Sequence, residues 1–403
     1  MNMARLKTKS QITMIMIIGI ILLIVACLFL YVSKSSGKKT REGSLKEAQE
    51  TALEMQPLKE FVSGCLDKLA KDSIVLIGSQ GGYIYESQGG TFVDFQETDE
   101  GIFFIINNRA NAAYNIRQLS IYVPHTYSST IPDYPWITFP YSAAGSGQKT
   151  FTGLFGLNGM PPLKKENGPH SIQEQIEFYV DSNIDGCLDF TPFEAQGYNI
   201  EKPTGKTTAL FGSNDIAVKM EMPIRAINEQ TRESFSLDEF STNINVRLQD
   251  AYYFINGLVE NDIQDIAFNL KDVSNNINSF NVKVMENAYA NDDIVLVRDE
   301  QSLIYGKPFE YVFARKNRAP ALYYIRNSVL TLPGGYLITQ QDLVQDSELK
   351  AEDPDEDATS ITIQAQRANP NLPTLLDNPQ IKFKVEASDG ALSDYQIITV
   401  NRI

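Results

Sequence analysis

The chain has 403 residues, and its 35 Lys and Arg against 50 Asp and Glu give a formal charge of −15. A surface this acidic repels phosphate backbones, which argues against nucleic-acid binding. With only two His and three Cys, the chain cannot assemble most catalytic and metal sites. It contains no H-E-x-x-H, Cys-x-x-Cys or G-x-S-x-G motif. The composition therefore indicates no reaction.

An apolar run near the start predicts a membrane anchor. Residues 12–32 are 21 residues without a charge, and as a helix they would span about 31 Å, close to the roughly 30 Å of a hydrocarbon core. We expect a transmembrane helix in the lipid bilayer, with residues 1–32 as cytoplasmic tail and span. The alternatives are a buried core helix, a cleaved signal peptide, or lipidation at Cys27.

The orientation of this span does not follow from the flanking charges, because three basic residues precede it and four follow. Long domains are translocated regardless of such charges. We therefore expect a single-pass protein of the cell membrane with an extracellular body. The oxidising environment outside the cell would also allow the two cysteines of the body to form a disulfide.

The rest of the chain predicts an α+β fold class. A polar tether covers 33–44, an α+β domain 45–200, a strand meander with an amphipathic helix 201–316, and an all-β domain 317–403. Apolar residues at three- and four-residue spacing predict a helix from Glu42 that Pro57 kinks or splits, and a second helix over 249–275. Strands are expected at 102–106, 119–123, 207–211, 216–222, 223–227, 281–285, 293–297, 311–315 and 396–400.

Two segments of the chain echo each other. Gly-Cys-Leu-Asp occurs at 64–67 and at 186–189, and a Gln-Gly-Tyr turn follows each copy, at 80–83 and 196–198. Each copy predicts a helix carrying a Cys, then a glycine-permitted turn into a strand. Cys65 and Cys187 are the only thiols outside the apolar run. In an exported body these matched positions predict a disulfide, and two buried free thiols are the alternative.

A long insertion over 124–168 is rich in Pro, Gly and aromatic residues. Its aromatic side chains either form an exposed binding surface or pack a long loop against the sheet. The candidate surface consists of Tyr134, Trp136, Phe139 and Tyr141.

The last domain carries three sequence marks in order. They are the opening Asn-Arg-Ala-Pro at 317–320, the acidic stretch at 351–357 and Val-Glu-Ala-Ser-Asp-Gly at 385–390. Together they resemble the cadherin-like and immunoglobulin-like β-sandwich repeats of exported proteins. Asp353, Asp355 and Asp357 alternate, so their carboxylates can face one way and bind calcium. The resemblance implies that Asp389 completes the site, although Glu356 stands where such domains carry Gly. A solvated acidic turn is the alternative.

As a whole, the chain resembles uncharacterised single-pass surface proteins of small-genome archaea, and that likeness implies no activity. We expect a non-enzymatic, membrane-anchored extracellular protein for adhesion, for binding a protein or glycan partner, or for envelope structure. One alternative is a membrane-tethered, carbohydrate-active hydrolase that uses paired carboxylates and the aromatic insertion. Another is a minor pilin or a component of a secretion complex.

Overall fold

A computed structural model of the chain describes residues 55–94, 101–104, 110–118, 155–323, 325, 329–334, 338–343, 349–367 and 379–403. The predicted span over 12–32, the tether, the strand at 119–123 and the aromatic side chains at 134–141 lie outside these residues. Of the helices in the described ranges, none combines the length and the apolar character needed to cross a bilayer.

Helices and strands are mixed along the described chain, so the predicted α+β class is confirmed. The helices are α1 (Gln56–Ser79), α2 (Ile172–Cys187), α3 (Thr191–Glu194), α4 (Leu248–Gln264) and α5 (Gln340–Leu343). The first strands are β1 (Gly101–Phe104), β2 (Ala110–Arg117), β3 (Leu157–Asn158), β4 (Tyr198–Glu201), β5 (Lys206–Phe211), β6 (Ile216–Asn228), β7 (Ser234–Ile244) and β8 (Phe280–Tyr289). The remaining strands are β9 (Asp292–Ile304), β10 (Lys307–Arg315), β11 (Ala321–Leu322), β12 (Val329–Leu332), β13 (Ala351–Glu352), β14 (Ser360–Arg367), β15 (Gln380–Ser388) and β16 (Ser393–Arg402).

The chain divides into two compact units. Of the described residues, the smaller unit contains 55–62, Phe190–Lys202 and Pro223–Leu237, and the larger contains those within Ser63–Asp189, Pro203–Met222 and Asp238–Ile403. In the smaller unit, β4 pairs antiparallel with the end of β6. The rings of Phe61, Phe190 and Phe193 cluster there, with centroids between 5.6 and 6.5 Å apart.

A mixed sheet forms the centre of the larger unit. Its strand order is β1-β2-β10-β9-β8, and β3 also pairs with β2. Strand β10 runs parallel to β2 and antiparallel to β9. Helix α1 comes very close to β10 at Gly78, where a Cβ atom would lie 2.3 Å from the carbonyl oxygen of Glu310. Glycine is therefore required at this position.

Helix α2 satisfies one backbone edge of β5 with its side chains. Gln173, Glu177 and Asp181 follow each other at four-residue spacing, so they lie on one face of the helix. Gln173 Nε2 donates to the carbonyl of Ala209 at 2.9 Å, and the N–H of Ala209 donates to Glu177 Oε1 at 3.0 Å. The N–H of Thr207 donates to Asp181 Oδ1 at 2.9 Å. An edge covered in this way is not free to pair with another strand.

Several elements differ from the sequence prediction for local reasons. Pro57 is the second residue of α1, where its missing N–H costs nothing, so it does not interrupt the described part of the helix. The strands predicted at 216–222 and 223–227 form the single strand β6. Pro223 lies between the segment of β6 that pairs with β5 and the segment that pairs with β4. Helix α4 ends at Gln264, short of the predicted 275.

The C-terminal residues form a sandwich-like pair of sheets. Strands β11 and β13 make the small sheet, and the larger has the order β12-β16-β15-β14. Their shared core includes Leu322, Val385 and Ile398. Two buried polar side chains of β16 fix the chain near β11: the N–H of Leu322 donates to Asp394 Oδ2 at 2.9 Å, and Ile325 donates to Gln396 Oε1 at 2.8 Å.

The predicted disulfide is confirmed. Cys65 of α1 and Cys187 at the end of α2 are bonded, with their Cα atoms 5.8 Å apart. In both echoing segments the glycines take positive φ, at Gly81, Gly82 and Gly197. Gly197 leads into β4, whereas the first copy leads only to an isolated bridge between Tyr85 and Phe92. A strand therefore follows the second copy alone.

Candidate functional site

The acidic residues singled out by the sequence lie beside two arginines that are buried. Arg315 ends β10 with 1% of its surface exposed, and Arg318 is completely buried. A guanidinium cannot be deprotonated in a protein, so burying it requires negative partners close by. The sequence predicts a domain boundary between residues 316 and 317 and gives no sign of this burial.

Arg318 is bonded to the acidic loop at 353–357 through both its backbone and its side chain. Its main-chain N–H donates to Asp355 Oδ2 at 2.6 Å. Its Nε and Nη2 donate to Asp355 Oδ1 at 3.0 and 2.7 Å. The same guanidinium donates to the carbonyls of Pro354 and Phe155, each at 2.9 Å. The loop and the residues around 155 are thus held to one side chain.

Arg315 joins three more elements at the same place. Its Nη2 and Nε donate to Asp293 Oδ2 at 2.5 and 3.1 Å, and its Nη1 donates to Asp262 Oδ1 at 3.1 Å. Its Nη2 also donates to the carbonyl of Asp355 at 3.1 Å. Since Asp262 lies on α4 and Asp293 on β9, the side chain connects α4, β9, β10 and the acidic loop.

Asp262 is shared between the two arginines. Its Oδ2 lies 2.7 Å from Arg318 Nη2, although the two groups are not aligned as a hydrogen bond. Burial raises the pKa of Asp262, and the positive charges of Arg318 and Arg315 oppose that shift. We call Asp262, Asp293, Arg315, Arg318 and Asp355 the charge cluster. When all are ionised, its three carboxylates outnumber its two guanidiniums, so it carries excess negative charge.

Three of the four predicted calcium ligands accept hydrogen bonds within the protein. Asp353 Oδ1 accepts the N–H groups of Asp355 and Asp357 at 2.8 and 3.2 Å. Asp389 accepts two backbone N–H groups through Oδ1 and the side-chain amide of Asn317 through Oδ2. Asp355 is engaged by Arg318. Within the described ranges, no group of three or more His, Cys, Asp or Glu side chains is arranged to hold a metal. Calcium binding stays a prediction.

Two carboxylates of the loop keep oxygen atoms that could still accept a proton or a cation. Asp353 Oδ2 is buried, and it has no hydrogen-bond partner in the described part of the chain. Burial, assisted by the charge of Asp355, raises the pKa of Asp353 to about 7. Burial and the charges of Asp355 and Asp293 raise the pKa of Asp357 to about 6. The negative charge of the loop therefore changes near neutral pH.

Comparison with known proteins does not identify a family for this chain. No protein-family model matches the chain, and no curated protein sequence matches it. Among solved structures, the crystal structure of Drosophila N-cadherin EC1-4 matches with 10% sequence identity and a TM-score of 0.16. The match covers 79% of this chain and 72% of that one. A TM-score this low carries no argument about fold or function.

Proposed function

We propose that the protein is a non-enzymatic, single-pass surface protein, with its N-terminus in the cytoplasm and its body outside the cell. The observation that carries the proposal is the disulfide between Cys65 and Cys187, in a chain that also contains the uncharged run at 12–32. Disulfides form and persist in oxidising compartments. An apolar run of this length ahead of such a body is typical of a membrane anchor.

The C-terminal residues support a role in presenting a surface to a protein or glycan partner. We assign them to the cadherin-like and immunoglobulin-like sandwich class on the sequence marks at 317–320, 351–357 and 385–390 and on their two sheets. The charge cluster fixes residues 315–318 to α4 and to the acidic loop, so this domain is held firmly rather than on a flexible linker. A firm connection suits adhesion, partner binding or envelope structure.

Calcium binding at the acidic loop is part of the proposal. Asp353 and Asp357 support it, because both have unengaged oxygen atoms and both carry raised pKa values caused by burial and neighbouring negative charge. Any further ligands would have to come from water or backbone carbonyls, since Asp355 and Asp389 are engaged.

Protease shaving of whole cells tests the location. The full chain carries one tag before residue 12 and another after residue 403. We expect external protease to remove the C-terminal tag from intact cells, to spare the N-terminal tag, and to leave the anchor in the membrane fraction. Recovery of the intact chain without detergent, or a C-terminal tag that the protease never reaches, would overturn the proposal.

The thiols provide a second, independent readout of location. In protein isolated under an alkylating agent, Cys65 and Cys187 should stay unmodified until a reductant is added. On a denaturing gel, the mobility of the wild-type chain should change when the disulfide is reduced. A chain in which Cys65 and Cys187 are both replaced by Ser is the matched control, because its mobility should not change. Alkylation of both thiols in untreated material would contradict an oxidising location.

A further inference from the structure

An open cleft of about 520 Å³ lies in the larger unit, and it shares no residue with the charge cluster. It is bounded by the first turns of α4 and by the segment that leads into β8. The cleft is lined by Arg247, Asp250, Tyr253, Phe254, Asn278, Phe280 and Gln301.

The floor of the cleft is cross-linked by hydrogen bonds and ring contacts, and its one positive charge is paired within the protein. Arg247 Nε donates to Asp299 Oδ2 at 3.1 Å, its Nη2 donates to Asp299 Oδ1, and its Nη2 also donates to the carbonyl of Asn278 at 3.2 Å. The guanidinium lies 4.8 Å from the ring centre of Phe280, and Phe254 stacks on Phe280 with centroids 4.7 Å apart. The charge of Arg247 is thus matched by the buried carboxylate of Asp299.

The rim, by contrast, presents polar groups and one exposed ring, that of Tyr253, which also packs at a steep angle against Tyr252 with centroids 5.6 Å apart. Tyr253 is 57% exposed. Within the described residues, the side chains of Asp250, Tyr253 and Asn278 make no hydrogen bond to the protein. They offer a carboxylate, a phenol and an amide around one aromatic ring.

The backbone of the rim is held in an unusual conformation. Asn278 and Ser279 are consecutive residues with φ of 50° and 68°. Arg247 fixes the carbonyl of Asn278, and Gln301 Nε2 donates to Ser279 Oγ at 2.8 Å. Left-handed backbone at non-glycine residues costs energy and is concentrated at ligand sites. The segment therefore fixes the backbone from which the Asn278 side chain projects.

We infer that this cleft binds a neutral oligosaccharide. An anionic ligand is opposed by Asp250 and by the net charge of −15. A quaternary ammonium ligand is recognised by a cage of several free ring faces, and the residues lining this cleft do not provide one, because Arg247 and Phe254 already occupy Phe280. The apolar C–H face of a sugar ring stacks on an aromatic face, and its hydroxyls both donate and accept. Those are the properties that Tyr253, Asp250 and Asn278 offer together.

This inference deepens the proposed surface role by naming the partner class, and it rests on that role for the presence of a glycan at the cell surface. Binding itself does not depend on the membrane anchor. Protease shaving and glycan binding are separate measurements, so either one can fail without the other.

Calorimetry on the full chain in detergent micelles tests the site. The neutral probes are cellohexaose, chitohexaose and maltohexaose, and the charged comparators are a hyaluronan hexasaccharide and a chitosan hexamer. We expect at least one neutral probe to bind. Tyr253→Ala and Asp250→Ala should each weaken it about tenfold or more, whereas Tyr253→Phe should retain it.

Phe178→Ala is the matched control, because Phe178 is an exposed aromatic residue outside the cleft, and its replacement should leave binding unchanged. Unfolding curves of every variant separate a lost contact from a lost fold. The inference is overturned if no neutral probe binds. It is also overturned if binding survives both Tyr253→Ala and Asp250→Ala, or if only the charged comparators bind.

Discussion

The carboxylate of Asp355 receives three hydrogen bonds from a single residue, Arg318. The main-chain N–H reaches Oδ2 at 2.6 Å, while Nε and Nη2 reach Oδ1 at 3.0 and 2.7 Å. Both side chains are buried, so neither can turn to water when the other is lost. The acidic loop is thus fixed to the residues that follow β10 by a buried ion pair, and the loss of either partner leaves the other charge without a counterion.

Arg318→Met should therefore destabilise the protein strongly. Removing one partner of a buried ion pair leaves an uncompensated charge and typically costs about 3–5 kcal/mol. Urea unfolding at neutral pH measures the free energy of unfolding. The matched control is Arg298→Met, because Arg298 pairs with Glu310 at the surface, where such a loss costs about 1 kcal/mol or less. Equal effects of the two substitutions would mean that the charge cluster does not hold the loop.

Removing the disulfide should lower the free energy of unfolding by about 4–5 kcal/mol on the chain-entropy argument, since the bond closes a loop with a sequence separation of 122. The single substitutions Cys65→Ser and Cys187→Ser should each come close to the effect of the double substitution, because all three break the same bond. Thermal or urea unfolding measures this. If the reduced and oxidised proteins unfold alike, the bond contributes nothing to the fold.

The sequence predicted the features that depend on local patterns. Short strand-like runs marked β5 and β9, periodicity marked α4, and the two cysteines outside the apolar run marked the bond between Cys65 and Cys187. No local sequence pattern indicated that Arg315 and Arg318 would be buried. Their burial depends on Asp262 and Asp355, which are 53 and 37 residues away from them in the chain. Only the packing of α4 and the acidic loop against the end of β10 brings these charges together.

The cleft at Arg247 was missed for the same reason. Its floor pairs Arg247 with Asp299, 52 residues further along the chain, and its rim depends on a left-handed turn at 278–279. No local signal in the sequence distinguishes Tyr253 from the other tyrosines. The aromatic surface proposed at Tyr134 and Trp136 lies outside the described residues and stays a prediction.

The stability of the protein should fall as the pH rises from about 4 to about 7. The pKa of Asp353 is about 7 in the folded protein, against an ordinary value of 3.8. The folded state therefore binds a proton that the unfolded state has released within this window, and stability decreases with pH there. At about 1.4 kcal/mol per pKa unit, the loss from Asp353 amounts to a few kcal/mol at most. Urea unfolding across this range measures it.

Asp353→Asn is the control for that pH dependence. The amide oxygen can still accept the N–H groups of Asp355 and Asp357, so the turn is preserved, but the side chain no longer titrates. The slope of stability between about pH 4 and pH 7 should become shallower in this variant. An unchanged slope would assign the pH dependence to other groups and remove Asp353 from the explanation.

Calcium should stabilise the protein only where the loop is ionised. Above about pH 7, Asp353 and Asp357 are deprotonated, and a cation that neutralises them offsets their mutual repulsion. At a calcium concentration ten times the dissociation constant, mass action predicts about 1.4 kcal/mol of added stability. Extracellular sites bind calcium at about 10⁻⁴–10⁻³ M, so thermal unfolding in millimolar calcium against a chelator gives the readout. Asp357→Asn should abolish the shift, and at about pH 5 the wild-type protein should show little of it. An equal shift in magnesium, or none in calcium at high pH, would remove the proposed site.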